Sequence, residues 1–207
     1  MIKVLLADDQ AMIREAFAAL LQLEADLEVV GQAATCAAAV DVARATDPDV
    51  VLMDEQMPSG PGQLSDGIAA TAQIVAELPK ARVIILTTFG RPGYLRRAME
   101  AGAVGFMVKD APADQLIEGI RRVYRGLRVV DPALAADSLS LGASPLTERE
   151  AEVLAAAARG GSTGAIAAKV YLSEGTVRNH LSAAMGKLGA ATRAEAVRMA
   201  TENGWLS

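Results

Sequence analysis

The sequence predicts an α/β protein, a five-stranded doubly wound parallel sheet joined to a smaller all-α domain of four helices. Three observations predict it. The first half alternates short β-branched runs with longer stretches of helical period, the pattern of a parallel sheet covered by helices on both faces. Residues 126–145 lose that period and gather Gly, Pro, Ser and Asp. Beyond them come four helical patterns with no strand between them.

The strands expected in the first half are Ile2–Ala7, Glu28–Ala33, Val50–Met53, Arg82–Thr87 and Gly105–Val108. Met12, Ile13, Phe17, Leu20 and Leu21 recur at helical spacing, as do Leu116, Ile117, Ile120 and Val123, with Leu95, Met99 and Val104 a looser set. The boundaries read as a first domain over 1–125, a linker over 126–145 with a short helix from Pro132, and a second domain over 146–207. The helices expected there are Thr147–Arg159, Thr163–Val170, Glu174–Leu188 and Arg193–Thr201. Thr147 with Glu150, and Thr192 with Glu195, have the spacing of a capping box and mark two helix starts.

With 207 residues, 52% hydrophobic and 3% aromatic, the chain suits two small domains of closely packed helices. No apolar run approaches the ~18–20 residues that cross a bilayer, and the opening MIKVLLADDQ turns acidic too early for a signal peptide. A cytoplasmic protein with no membrane insertion is expected. Cys36 is the single cysteine and His180 the single histidine, which excludes an internal disulfide, leaves no Cys/His cluster of zinc spacing and, with His180 on helix 174–188, makes a His-dependent triad not expected; Cys36 reads as a small packing residue in a helix. The net charge of −5 is carried by the first domain, because residues 146–207 hold seven Lys/Arg against six Asp/Glu. Bulk charge that weak cannot hold a polyanion such as DNA alone, so any such binding would need well-placed contacts and two copies.

The ends of the predicted strands concentrate chemistry. Asp8 and Asp9 follow the first strand, Asp54 the third, Thr87 closes the fourth and Lys109 follows the fifth. Carboxylates with a backbone carbonyl make an oxygen cage suited to Mg2+. Beside it Asp54 can attack phosphorus, with Lys109 and Thr87 holding phosphoryl oxygens, to form an aspartyl phosphate.

LLADDQ, VVLMDEQMP, IILTTF and GFMVKDAP resemble the receiver domain of two-component response regulators, a flavodoxin-like fold, and the resemblance spans residues 1–125. It implies that Asp54 is the phosphoacceptor and that Asp9, Asp54 and the carbonyl of Gln56 ligate Mg2+, with Asp8 acting through water. It further implies that Thr87 and Phe106 form the switch. One departure stands out. The family has two residues between the Met-Pro pair and the following Asp-Gly, whereas SGPGQLS separates Met57-Pro58 from Asp66-Gly67 here. The insertion at 59–65 is expected to form a loop beside Asp54 that alters the rate of phosphoryl gain or loss, or to be a tolerated surface insertion.

In the second domain, helix 163–170, a turn at Tyr171-Leu172-Ser173 and helix 174–188 have the spacing of a helix-turn-helix. LTEREAEVL, IAAKVYLSEGTVRNHLSAAMGKLG and TRAEAV resemble the LuxR-type DNA-binding domain, and its union with a receiver resembles the NarL/FixJ class of response regulators. Arg178, Asn179 and Ser182 share an exposed face opposite Val177, Leu181, Met185 and Leu188. Arg178 and Asn179 are the base-reading candidates, since Arg and Asn pair bidentately with guanine and adenine edges. Ser173, Thr176, His180 and Lys187 are candidates for phosphate contacts. Thr163-Gly164-Ala165 stands where the family has Asn-x-Glu, which predicts a less stable scaffold helix.

The implied function is a transcriptional regulator, not an enzyme, phosphorylated on Asp54 by a sensor histidine kinase and binding double-stranded DNA as a homodimer. Two other readings stay open at this point. One is the same architecture controlled by a ligand or partner without phosphorylation. The other is an Mg2+-dependent aspartyl-phosphate phosphatase of the haloacid-dehalogenase kind, disfavoured because position 56 is Gln where that family has a second Asp.

Overall fold

A computed structural model of the chain describes residues 1–61, 64–88, 92–132, 134–136 and 144–206. It falls into two compact units.

The first unit contains β1 (Ile2–Ala7), α1 (Ala11–Leu21), β2 (Leu27–Ala33), α2 (Cys36–Thr46), β3 (Val50–Asp54), α3 (Gly67–Glu77), β4 (Arg82–Thr87), α4 (Pro92–Glu100) from Leu95 onward, β5 (Gly105–Val108), α5 (Ala113–Tyr124) and β6 (Val129–Val130). The strands are parallel in the order β2-β1-β3-β4-β5-β6. Chain direction across the sheet reverses between β1 and β3, and the crevice at that point is where open α/β sheets hold ligands. Val4, Leu6, Val50, Leu52, Ile84 and Leu86 point to one face and form a core with Ala18 and Leu21 of α1 and with Leu116, Ile117, Ile120 and Val123 of α5. The alternate residues Leu5, Val51, Met53, Val83 and Ile85 are as deeply buried on the other face, where α2 and α3 pack.

The five expected strands match the structure to within a residue, but among the described residues the sheet has six. The sixth lies inside the expected linker: Val129 N–H donates to Val104 O at 3.0 Å and Asp131 N–H to Phe106 O at 3.3 Å. Two β-branched residues suffice because β5 is already in place as a template, and a strand so short has no period to read. The short helix expected from Pro132 falls on a stretch of which residues 133 and 137–143 lie outside the described residues. Val104 lies outside α4, beyond Gly102, whose φ of +94° turns the chain out of the helix.

The second unit contains α6 (Glu148–Ala158), α7 (Thr163–Val170), α8 (Glu174–Leu188) and α9 (Arg193–Glu202). Their common core includes Val153, Leu154, Ile166, Val177, Leu181, Ala184, Leu188, Ala196, Ala200 and Leu206. Met185, expected there, is half-buried, and Ala184 takes the deep position. Each helix starts on a hydroxyl cap: Thr147, Ser162, Ser173 and Thr192 accept from the N–H three residues on. Thr147 and Glu150 complete a capping box, whereas Glu195 reaches past Thr192 to the N–H of Ala191 at 2.8 Å.

Candidate functional site

The register of β1, β3, β4 and β5 brings Asp8, Asp9, Asp54, Thr87 and Lys109 to one rim of the sheet. A cavity of about 170 Å³ there is lined by Asp9, Gln10, Asp54, Gln56, Thr87, Thr88 and Lys109. Asp8, Asp54 and Thr87 are buried, while Asp9 is exposed at the mouth.

Lys109 organises the carboxylates. Its Nζ lies 2.7 Å from Asp8 Oδ2 and 2.9 Å from Asp54 Oδ2. The remaining oxygens face backbone donors, Gln10 N–H to Asp8 Oδ1 at 2.9 Å and Gln56 N–H to Asp54 Oδ1 at 3.2 Å. Burial pushes the Asp54 carboxyl above its ordinary pKa, against the hydrogen bond and charge of Lys109 that pull it down. Burial also pulls the Lys109 ammonium down, but its bonds to Asp8 and Asp54 outweigh that and hold it above its ordinary value. The family resemblance implies that Asp8 acts through water; the structure gives it a direct contact with Lys109.

One oxygen from each of Asp8, Asp9 and Asp54 lies within 4.8 Å of the others. Three hard oxygen donors on one side of a small cavity fit Mg2+, whereas softer metals favour the nitrogen and sulfur ligands that this cluster lacks among the described residues.

Thr87 lines the cavity, yet its hydroxyl donates to Glu55 Oε2 at 2.6 Å, and both residues are buried. Glu55 is not among the residues expected at the site. A charged residue directly after an all-buried strand was the available signal. Gly67 is a second unexpected participant, for a Cβ there would lie 1.9 Å from the Asp54 carbonyl oxygen. The Gly67 N–H donates to Glu55 O at 3.0 Å, so α3 starts directly against the end of β3. Phe106 is fully buried in β5.

The described part of the insertion is fastened to α2. Pro58 O and Ser59 O accept from the N–H groups of Cys36 and Ala37 at 2.9 and 3.1 Å, satisfying donors that a helix start leaves open. Among the described residues none of the insertion lines the cavity beside Asp54; Gly62 and Gln63 lie outside the described residues. Cys36 opens α2, is buried as expected, and has Sγ 3.6 Å from Met57 O.

In the helical unit α7, the turn and α8 occupy the expected spans. Tyr171 takes the left-handed conformation that ends α7, with φ +55°. Arg178, Asn179 and Ser182 are exposed on α8, and His180 is half-buried. Arg178 sits 3.6 Å from Glu174, one turn back. Ser173 and Thr176 are engaged in the N-cap, with hydroxyl oxygens 2.8 Å apart. Lys187 differs from its expected place: its Nζ lies 2.7 Å from Glu150 Oε2, tying α8 to α6.

Comparison with known proteins follows the same division. Residues 4–121 match the response regulator receiver domain, and residues 144–200 match the bacterial regulatory proteins of the luxR family. The chain is a response regulator of the NarL/FixJ class. Among relatives of this response regulator, the transcriptional regulatory protein DesR and the uncharacterised transcriptional regulatory protein YvfU, both of Bacillus subtilis (strain 168), are each 41% identical over 206 residues, covering 100% of both chains. The crystal structure of ChrA, a response regulator of a heme-sensing two-component system, is 32% identical, covers 97% of this chain and 96% of its own, and superposes with a TM-score of 0.57. Receiver domains generally bind Mg2+ in an acidic pocket, and Asp8, Asp9 and Asp54 form an acidic cluster here. Among the described residues no helix is long and apolar enough to cross a membrane.

Proposed function

We propose that this response regulator is switched by phosphorylation of Asp54 and that the switch controls binding of a homodimer to double-stranded DNA. The observation that carries the reading is the bridge of Lys109 between Asp8 and Asp54 at the mouth of a cavity that also admits Asp9 and Thr87.

The donor is a phosphohistidine of a sensor histidine kinase in the same compartment, the cytoplasm. An Asp54 carboxylate oxygen forms a bond to phosphorus as the bond from phosphorus to the donor imidazole breaks, and that nitrogen keeps the electron pair and takes up a proton. Asp54 needs no general base, because a carboxylate is already the nucleophile. Lys109 holds one phosphoryl oxygen by charge, and the Thr87 hydroxyl, once turned into the cavity, holds another. Asp9, Asp54 and the Gln56 carbonyl would ligate Mg2+, which supplies positive charge to offset that of the phosphoryl group. Phe106, behind Thr87 on the neighbouring strand, carries the change to the surface of α4, β5 and α5. The chain is a phosphoryl acceptor, not a catalyst acting on other substrates.

On the DNA side, α8 enters the major groove. Arg178, Asn179 and Ser182 project from its exposed face, Arg178 and Asn179 reading base edges, while Ser173, Thr176 and His180 meet the phosphates. Lys187 joins them only in so far as Glu150 releases it. With seven cationic against six anionic side chains in residues 146–207, one copy has little electrostatic hold, so two copies on paired half-sites supply the affinity.

Incubating the protein with Mg2+ and a small phosphodonor, then measuring mass and oligomeric state, tests the first half. The wild type gains one phosphoryl mass and dimerises, and Asp54→Ala does neither. A wild type that gains no phosphoryl mass would leave control by a ligand or partner as the working account.

A further inference from the structure

We infer that Glu55 is a positioning residue that holds the switch in its resting state by competing with the phosphoryl group for the Thr87 hydroxyl; this rests on phosphorylation of Asp54 as proposed above.

A threonine hydroxyl has one proton to donate. In the structure Thr87 gives it to Glu55 Oε2 at 2.6 Å, the short distance of a bond to a carboxylate. The same Thr87 lines the cavity beside Asp54. The one proton cannot serve both acceptors, so the bond to Glu55 has to break before Thr87 can hold a phosphoryl oxygen.

The backbones of both partners are pinned. Glu55 N–H donates to Leu86 O at 2.9 Å, and Glu55 O accepts from the first N–H of α3, that of Gly67, at 3.0 Å. Thr87 O accepts from Lys109 N–H at 2.8 Å. With both main chains fixed in the β3, β4 and β5 framework, the exchange falls to side-chain rotation, and the β-branched Thr87 has few discrete settings of it. For the Thr87 hydroxyl proton the pair offers two settings, on Glu55 or in the cavity. Both residues are buried, so water does not substitute freely for the lost partner, and the bond biases the equilibrium toward rest. Hydrogen bonds to charged groups are worth roughly a ten- to hundredfold shift in such an equilibrium.

The test is a double-mutant cycle in the full chain, using acetyl phosphate and Mg2+ at a sub-saturating level. Glu55→Met keeps the length of the side chain and removes the acceptor; Thr87→Val removes the donor. The expected result is that Glu55→Met raises the dimer fraction per phosphorylated chain at least about tenfold in equilibrium constant, and does nothing in the Thr87→Val background. Glu55→Gln, which keeps an acceptor oxygen, lies between and serves in the same cycle if the Met variant folds poorly. Without phosphodonor, the Thr87 γ-methyl resonance of Glu55→Met moves toward its position in the phosphorylated wild type. Equal effects of the Glu55 substitution in both backgrounds, or none in either, overturn the inference while a wild type that gains phosphoryl mass leaves the phosphorylation reading intact. A wild type that gains none defeats that reading and this one with it.

Discussion

The ammonium of Lys109 lies 2.9 Å from Asp54 Oδ2, at the end of a side chain that is only 9% exposed. The same nitrogen reaches Asp8, so one buried cation serves two buried carboxylates. Such a group stabilises the fold and waits for a ligand at once, and the two roles separate by experiment.

Lys109→Met leaves both carboxylates without that cation. Breaking a buried ion pair by removing one partner costs about 3–5 kcal/mol, and urea unfolding of the sheet unit at neutral pH should show a loss of that order. Adding Asp54→Asn to the same chain should recover part of it. A Lys109→Met protein within about 1 kcal/mol of wild type would mean that the bridge contributes little to folding.

Cys36 provides a pH signature. Burial raises its thiol pKa to about 11, with smaller contributions from the charges of Asp66 and Asp54. The folded pKa lies above the unfolded one, so the contribution to stability is intact below the ordinary thiol value of 9.0 and is lost as pH rises toward 11. The loss across that window is on the order of 2–3 kcal/mol. Unfolding free energies from pH 8 to 10.5 should therefore fall for wild type and fall less for Cys36→Ala. The native thiol should also resist iodoacetamide through pH 9 and react on unfolding.

Glu150 and Lys187 hold the helical unit. Glu150 accepts from Thr147 N–H at 2.7 Å as well as from Lys187; the hydrogen bond from Lys187 and then that from Thr147 lower its pKa. Its stabilising contribution is present above the usual glutamate range and fades as pH falls below it. Glu150→Ala should cost about 1–2 kcal/mol, the loss of a cap and a charged hydrogen bond. Trp205, the only tryptophan, packs against this core, and its fluorescence on unfolding measures the loss. No change in the midpoint would show that the pair is ornamental.

Arg178 projects from α8 with 64% of its side chain exposed and a loose partner in Glu174 at 3.6 Å. Arg178→Ala should leave folding unchanged and weaken specific DNA binding by about 1–3 kcal/mol, relaxing preference at one base position. Lys187→Ala should show the opposite balance, with stability falling more than affinity. Uniform weakening across all DNA sequences by Arg178→Ala would recast it as a phosphate contact.

The framework is legible in the sequence because periodicity and capping are local. The strands ending at Ala7, Thr87 and Val108 and the helices Thr163–Val170 and Glu174–Leu188 match their expected bounds to the residue, and the rim of Asp8, Asp9, Asp54, Thr87 and Lys109 follows from strand ends alone. What escapes depends on contacts between distant segments. β6 exists because β5 offers an open edge, and Val129–Val130 carries no period of its own. Glu55 and Thr87 are 32 residues apart, and Glu150 and Lys187 37 apart. The sequence suggests a phosphate contact for Lys187 because its helical face is visible there and its partner on α6 is not. The insertion after Pro58 suggests a loop beside the site for the same reason: its bonds to the start of α2 become visible only once α2 is in place.

The link between the two units is tested most directly by binding to a DNA duplex selected from random sequence. The full chain is titrated with that duplex before and after treatment with acetyl phosphate and Mg2+, beside Asp54→Ala treated in the same way. Phosphorylated wild type should bind at least about tenfold more tightly than untreated wild type, as a dimer, the shift that a switch of this strength delivers, and Asp54→Ala should show one affinity throughout. Equal affinity of phosphorylated and unphosphorylated wild type, with the phosphoryl group verified by mass, would contradict phosphorylation as the control of DNA binding.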